Sequence, residues 1–380
     1  MLEHNDNVGK AMQEFNRARV LSAPIVISPD LEDLEEETVP EERDSTPSLL
    51  GWLDVSDLVE ALIKHLESRL PEGQKLPTKM LALMKLLEAE GPGFAKKELI
   101  TLTGGQDKDL IYQAHTGTTV LDTLREHYLK VGEDGMTKVV HRVAIFDSHG
   151  SITSVISQLD VMRFLLERAD KLGGVLDATL EDLGMLAGKA PVQTVCAHEP
   201  CLLALQKILA AGVAGAAVVE AGTAGGATIA NLSASDLRTV QPDHLSTLAL
   251  PVAEFLALQH HTAYVGYSVH SAKAATHPFF SSRSSGSSSG SLAGASPRAG
   301  GSAEDNEAGQ EAAGGGGAAG GTAEDVRLVT CTPGATLREV LVLLIINEVH
   351  RVYVVAPGGP PHAQAIITTT DVMRLLAGVW

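Results

Sequence analysis

Apolar and polar positions follow one order four times along the chain. Each time, a stretch with helical spacing precedes a short apolar strand, a turn, a second strand and an acid that opens another helix. The fourth copy shows this order in ATLREVLVLLIINE, VHRVYVVAPGG and AQAIITTTDVMRLLAGV. The repetition predicts an α+β fold of four duplicated units. Because one such unit is too small to be stable alone, we expect the units to pack in pairs.

The four copies divide the chain into repeats and connecting segments. The repeats are assigned to residues 1–70, 109–172, 188–241 and, for the fourth, 250–270 together with 326–380. We expect the first repeat to have its leading strand missing or cut short and to carry an acidic loop at 30–44, and we assign 71–108 to an insertion or connector. Residues 271–325 are rich in Ser, Gly and Ala, which cannot bury enough apolar surface to offset the entropy of ordering. They predict a flexible tether.

Composition limits the classes of function. With 380 residues and 44% hydrophobic content the chain can form two or more cores, and its net charge of -18 opposes binding to nucleic acid or to an anionic membrane. The first residues lack the apolar part of a secretory signal, and no apolar stretch is long enough to span a bilayer. We therefore expect a cytoplasmic protein, with the nucleus as a second location. The three cysteines have neither metal-binding nor disulfide spacing, so no metal site is predicted.

In every copy, a polar residue and an aspartate three positions later lie where the second strand passes into a helix. The pairs are Asp54 and Asp57, Ser157 and Asp160, Ser233 and Asp236, and Thr368 and Asp371. One interpretation is a capping box, in which the two side chains satisfy free amides of the helix start. The other is a ligand site, in which the carboxylate accepts hydrogen bonds from ribose hydroxyls while the Ser or Thr faces a phosphate. Both can hold together.

A His-Arg pair precedes the first strand in two copies, His141-Arg142 in the second and His350-Arg351 in the fourth. One such pair alone is usual on a solvated surface, but its recurrence at matching positions favours a shared role. Arg offers a planar fork of donors for phosphate oxygens, and His adds a donor whose charge varies near neutral pH. With the carboxylates, the pairs predict a mononucleotide site. The sequence has no nucleophile elbow, kinase glycine loop or P-loop spacing, so we expect no enzyme.

These motifs resemble those of CBS (cystathionine beta-synthase) domains, and their order resembles the gamma subunit of AMP-activated and sucrose-non-fermenting-related protein kinases. The resemblance rests on NEVHRVYVV with ITTTDVMRLL, HRVAIFD with SQLDVMRFL, LSAPIV with GWLDVSDLV, and PVAEFLALQHH. It implies two Bateman modules, each of two CBS repeats, in a pseudosymmetric disc. The chain departs from the family at Leu21, where an Arg is frequent, and in the third unit, which has no basic residue at its strand entrance.

The resemblance also implies ligands and partners. The ribose ligands would be Asp57, Asp160, Asp236 and Asp371, and the phosphate ligands would be His141, Arg142, His350 and Arg351, with Ser233 and Thr368 assisting. The implied ligands are AMP, ADP and ATP, with no cofactor. The implied partners are the alpha and beta subunits of an energy-sensing Ser/Thr protein kinase, which the chain would regulate without catalysis. Two alternatives stay open: a CBS scaffold whose nucleotide sites have degenerated, and an adenosyl-ligand sensor that acts on another enzyme or a transporter.

Overall fold

The computed structural model describes most of the chain outside two predicted loops. The described residues are 1–27, 48–102, 113–129, 140–149, 152–220, 227–260, 262–264, 280–282, 328–358 and 361–378. The predicted acidic loop at 30–44 lies outside these residues. The predicted tether at 271–325 also lies outside them, except for residues 280–282.

Each of the four units contains a three-stranded sheet in which the first two strands run parallel and the last two run antiparallel. The strands are β1 (Leu2–Glu3), β2 (Ser22–Ile27) and β3 (Ser48–Asp54); β4 (Gln113–His115), β5 (Arg142–Phe146) and β6 (Ile152–Ser157); β7 (Thr194–Cys196), β8 (Gly215–Val219) and β9 (Thr228–Ser233); and, after a hairpin of β10 (Thr262–Tyr264) and β11 (Phe280–Ser282), β12 (Thr330–Cys331), β13 (Arg351–Val355) and β14 (Ala363–Thr368). The hairpin was not predicted, and β11 falls in the range assigned to the tether. The first unit has a leading strand, which we expected to be missing or cut short; β1 has 2 residues, as β12 has, whereas β4 and β7 have 3.

Helices flank the sheet of each unit. They are α1 (Val8–Ala18), α2 (Val55–Glu67), α3 (Met80–Ala95), α4 (Val120–Thr123), α5 (Gln158–Glu167), α6 (Cys201–Ala210), α7 (Val252–Gln259), α8 (Leu337–Ile346) and α9 (Thr369–Ala377). A π-helical turn, Leu124–Tyr128, continues α4, and further 3₁₀ segments are Leu99–Thr101, Ala169–Lys171, Gly173–Asp177, Ala234–Leu237 and Pro242–Ala249. None of the helices that the structure describes is both long and apolar enough to cross a membrane.

Two hydrophobic cores join the units through their helices, one shared by the first and third units and the other by the second and fourth. The sheet sides make the remaining contacts. Arg142 of the second unit donates to the Ser22 carbonyl of the first at 3.0 Å, and the Tyr353 hydroxyl of the fourth donates to Asn231 of the third at 2.7 Å. Each unit therefore contacts one neighbour through its sheet and another through its helices, which closes a ring of four.

Two connecting segments are part of the first core. α3, in the range assigned to an insertion at 71–108, buries Leu83, Leu87 and Phe94 and packs against the 3₁₀ segment Pro242–Ala249. α7, which we assigned to the fourth repeat, buries its apolar side in the same core beside the third unit. Both segments therefore fill space between the first and third units rather than project from them.

Three connecting segments each cover the start of a helix. The hydrogen bonds run from Val8 N to Lys97 O at 2.8 Å, from Cys201 N to Leu250 O at 2.8 Å and from Leu337 N to Ala178 O at 3.1 Å. Each of these first helical residues is 0% exposed, whereas the matching Val120 of α4 is 42% exposed. Among the described residues, no segment covers the start of α4 in this way.

Candidate functional site

Each predicted ribose aspartate closes a capping box at the start of a helix. The backbone N–H of the cap residue donates to Oδ2 of the aspartate, from Asp54 to Asp57 at 2.8 Å, Ser157 to Asp160 at 2.9 Å, Ser233 to Asp236 at 2.8 Å and Thr368 to Asp371 at 2.8 Å. In the last three units the cap hydroxyl donates to the same carboxylate. The capping interpretation is therefore confirmed in all four units, and it explains why an acid opens each helix.

The second carboxylate oxygen, Oδ1, faces a basic side chain in three units. Oδ1 of Asp160 lies 3.1 Å from Arg163, Oδ1 of Asp236 lies 3.5 Å from His260, and Oδ1 of Asp371 lies 2.6 Å from Lys189. Burial raises the pKa of Asp160, but hydrogen bonds from Ser157 and the charge of Arg163 outweigh it and hold that pKa below its usual value. A ribose hydroxyl would have to share these oxygens with the basic groups, so the role of the acids as ribose ligands stays a prediction.

The two His-Arg pairs, which are far apart in sequence, meet in the structure. Arg142 and Arg351 begin β5 and β13, and the ring centroids of His141 and His350 are 5.5 Å apart. The Nδ1 atoms of both histidines are buried, and neither has a hydrogen-bond partner among the described residues. Because buried polar atoms are normally hydrogen-bonded, these nitrogens mark a place that suits the polar groups of a ligand.

The permanent positive charge at this centre belongs to the arginines. Burial, followed by the nearby His141, Arg351 and Arg142, lowers the pKa of His350 to about 3. His350 is therefore neutral at pH 7, and the expectation that its charge varies near neutral pH is wrong for this residue. Burial also lowers the pKa of Arg142, but an arginine keeps its charge at pH 7. An anion at this centre would meet two guanidinium groups.

The sheet of the second unit contacts the first unit, and the sheet of the fourth contacts the third. In both contacts the arginine lies against a small residue of the neighbouring unit. Arg142 Nη1 donates to the Ser22 carbonyl at 3.0 Å and to the Ser22 hydroxyl at 3.3 Å. Arg351 lies so close to Gly215 that a Cβ atom there would be 2.2 Å from Nη1. Ser22 and Gly215 occupy the strand position that the arginines occupy in their own units. The lack of a basic residue at the first and third strand entrances thus makes room for these arginines.

One cavity of about 240 Å³ joins this cationic centre to the cleft of the first unit. Its lining includes five of the predicted site residues, namely Asp57, His141, Arg142, His350 and Arg351. It also includes Ser22, Trp52, Asp54 and Glu60 of the first unit and Leu205, Ile208, Leu209 and Ser235 of the third. The other predicted residues, Asp160, Asp236, Asp371, Ser233 and Thr368, do not line this cavity.

Comparisons with known proteins agree with this architecture. Residues 323–378 match the family model described as CBS domain. The crystal structure of a Methanocaldococcus jannaschii protein, given as a proposed archaeal homologue of g-AMPK, is similar over 99% of this chain and 95% of that chain, with 12% sequence identity and a TM-score of 0.54. The last unit of this chain is similar to CBS domains, and all four units share its sheet topology. The predicted α+β fold of CBS repeats is confirmed.

Two further solved structures are less similar to the fold of this chain. An uncharacterised conserved protein from Pyrococcus horikoshii is 13% identical, with coverage of 70% of this chain and 78% of that chain and a TM-score of 0.38. The CBS domain of a CBS-domain-containing membrane protein from Sphaerobacter thermophilus is 17% identical, with coverage of 57% and 94% and a TM-score of 0.25. No curated protein matches the chain.

The cleft of the first CBS repeat contains residues that the sequence analysis did not assign to a site. The sequence indicated Asp54 only as the cap residue three positions before Asp57, and it did not indicate Trp52 or Glu60 as site residues. The spacing of Asp54, Asp57 and Glu60 was a usable signal, because residues three apart share one face of a helix. The wall from α6 had no such signal, since it depends on how the first CBS repeat packs against the third.

Proposed function

We propose that this CBS-repeat protein is a non-catalytic regulatory subunit that binds AMP, ADP and ATP and regulates an energy-sensing Ser/Thr protein kinase through kinase alpha and beta subunits. The observation that carries the proposal is the convergence of His141-Arg142 and His350-Arg351 on one cavity that also contains Asp57. The likeness to the archaeal protein described as a homologue of g-AMPK supports the same class of function.

The lining of the cavity has the chemical groups that each part of a nucleotide requires. The guanidinium groups of Arg142 and Arg351 match phosphate oxygens. The carboxylate of Asp57, at a helix start, matches the paired hydroxyls of a ribose. Trp52 and the apolar residues of α6 match the faces of an adenine ring. In this proposal the neutral His350 adds a ring nitrogen to the phosphate end.

Discrimination among the three nucleotides has to come from phosphate charge, because AMP, ADP and ATP share the adenosine. Regulation further requires that each nucleotide bind two states of a kinase assembly with different free energies, typically by about 1 to 3 kcal/mol. The cavity suits this role because its walls come from all four CBS units. A ligand that contacts all of them favours one relative placement of the units over another.

Removing one arginine at a time tests the phosphate role. Arg351→Ala should weaken AMP binding by about 1.5 to 3 kcal/mol, the range for hydrogen bonds to charged groups, and should change adenosine binding little. Arg142→Ala should show the same contrast. The measurement is calorimetric titration of AMP and adenosine into the full chain. Arg17→Ala, which removes an exposed arginine paired with Glu14, is the matched control and should bind both ligands as before.

The outcomes separate three possibilities. AMP affinity that is unchanged in both Arg142→Ala and Arg351→Ala contradicts the phosphate role. Equal losses for AMP and adenosine mean that the arginines shape the cavity without recognising phosphate. Co-purification of the chain with kinase alpha and beta subunits tests the partner, and capture of a different enzyme or a transporter instead would favour the adenosyl-ligand sensor.

A second candidate function is a CBS scaffold that has lost nucleotide sites. The observation that favours it is that Asp160 and Asp371 already have charged partners in Arg163 and Lys189, while His260 lies beside Asp236. Kinase subunits that co-purify with a chain that binds neither AMP nor ATP would support the scaffold over the sensor.

A further inference from the structure

The residue that caps the second helix of a unit is an acid in the first unit and a neutral hydroxyl residue in the other three. It is Asp54 in the first unit, and the matching residues are Ser157, Ser233 and Thr368. Sheet register establishes the match, because these four residues pair with Ser22, Arg142, Gly215 and Arg351 at the start of the preceding strand. Ser and Thr cap helices about as well as Asp does, so capping does not require an acid here.

Asp54 adds a carboxylate to the cavity of the first unit. Asp54 is the N-cap residue of α2, Asp57 and Glu60 follow it at intervals of three, and all three line the cavity. Apart from the histidines, the other ionisable groups of the lining are Arg142 and Arg351. Glu60 is paired with Lys64, and the carboxylates of Asp54 and Asp57 balance the two guanidinium groups, so these groups leave no surplus positive charge for a phosphate. Such a lining opposes polyphosphates more strongly than it opposes a ligand with little charge.

Asp54 is also close to an arginine that is expected to bind phosphate. Arg142 donates to the Ser22 carbonyl at 3.0 Å, and Ser22 pairs with Asp54 across β2 and β3. Burial lowers the pKa of Arg142, and Asp54 is the strongest of the charges that oppose this. A phosphate that contacts Arg142 must therefore come close to the carboxylate of Asp54. A hydroxyl at this position, as in the other three units, carries no charge and would not repel the phosphate.

We propose that Asp54 is a specificity-determining residue that makes the cleft of the first CBS repeat select adenosine and AMP against ATP. The inference rests on the proposed nucleotide-binding function. Arg142 and Arg351 together can neutralise one phosphate group. Each further phosphate adds negative charge near Asp54 without a further guanidinium group in the lining. Like charges brought together at a binding site reject the more charged ligand.

Tryptophan fluorescence can follow this cleft separately from the other three. The chain has two tryptophans, and Trp52 lines the cavity, so Trp380→Phe leaves Trp52 as the only reporter. Adenosine, AMP and Mg²⁺-free ATP are titrated into the full chain with this substitution, with and without Asp54→Ser. We expect the chain with Asp54 to bind AMP more tightly than ATP. Asp54→Ser should raise ATP affinity relative to AMP by about tenfold or more and leave adenosine nearly unchanged.

Two further variants control for folding and for net charge. Asp54→Asn, which also caps helices well, should shift the ATP-to-AMP ratio in the same direction as Asp54→Ser. Asp170→Asn removes the same charge from an exposed position outside the cavity and should leave the ratio unchanged. A ratio that both Asp54 variants leave unchanged overturns this inference, while nucleotide binding itself still supports the proposed function. Failure of all three ligands to bind, by fluorescence and by calorimetry, overturns both.

Discussion

Replacement of Gly215 by alanine tests the cationic centre without removing a charged group. The added Cβ would lie 2.2 Å from Arg351 Nη1 and 2.7 Å from the carbonyl oxygen of Leu232. Both distances are shorter than non-bonded atoms tolerate. The guanidinium group can move away because it ends a flexible side chain, but Leu232 belongs to β9, which pairs with the strand of Gly215. We therefore expect Gly215→Ala to displace Arg351 and to strain the sheet of the third unit.

The two effects have separate magnitudes. Overpacking against a fixed backbone typically lowers the free energy of unfolding by about 1 to 3 kcal/mol. Displacement of Arg351 removes a donor to phosphate, which should weaken AMP binding by about 1.5 to 3 kcal/mol, or roughly 10- to 150-fold. Adenosine has no phosphate and should keep most of its affinity. The effect on AMP should therefore exceed the effect on adenosine, whatever the loss of stability.

Calorimetric titration of both ligands, together with denaturant unfolding, measures these effects. Gly334→Ala is the matched control, because nothing lies within 4 Å of the added Cβ and the expected change in stability is within about 0.5 kcal/mol. In an Arg351→Ala background the AMP penalty of Gly215→Ala should vanish, since the group that it displaces is gone. Unchanged AMP affinity in folded Gly215→Ala, or a full second loss in the Arg351→Ala background, would refute the reasoning.

Three further predictions use stability, pH and capping. Val8→Ala should lower the free energy of unfolding by about 1.5 to 3 kcal/mol, whereas Val120→Ala at the matching but exposed position should change it by less than about 0.5 kcal/mol in the same denaturant titration. Because the pKa of His350 is lowered from 6.5 to about 3, the unfolded chain binds a proton between these pH values that the folded chain does not, so stability should fall as the pH drops through this range. His350→Asn should flatten that fall, and an unchanged slope would contradict the low pKa. Asp371→Asn keeps a cap oxygen but removes the charge 2.6 Å from Lys189. The free energy of unfolding should drop by about 1 kcal/mol, and the free energy of AMP binding should weaken by more. AMP binding equal to that of the unsubstituted chain would mean that Asp371 is a helix cap alone.

Local chemistry made the capping residues and the repeated units predictable. A hydroxyl and an acid three residues apart, as in Ser157 and Asp160, satisfy amides of the same helix turn and need no tertiary partner. The meeting of His141 with His350 was predictable for a different reason. Equivalent positions in duplicated units come to equivalent places, so recurrence in sequence became proximity in space.

Contacts between units could not be predicted in the same way. Nothing near Asp371 in the sequence indicates that Lys189, at the start of the third repeat, pairs with it. The small residues Ser22 and Gly215 led to a similar difficulty. In sequence they indicate strand entrances without a basic residue, and only the packing of the sheets shows that they make room for arginines of other units. Side-chain size was the available signal, but its meaning depended on the partner.

In the proposed function, the position of the arginines gives a physical route from ligand binding to regulation. Arg142 lies on Ser22 of the first unit, and Arg351 lies beside Gly215 of the third, so the direction of each guanidinium group depends on how two sheets meet. A phosphate bound at the centre would contact both arginines, so its affinity would depend on both sheet contacts. By linkage, a partner that alters either sheet contact must alter nucleotide affinity, and nucleotide must alter the affinity for that partner by the same factor. In the proposed function the ring of four units provides the coupling, and a partner that leaves the sheet contacts unchanged should leave nucleotide affinity unchanged as well.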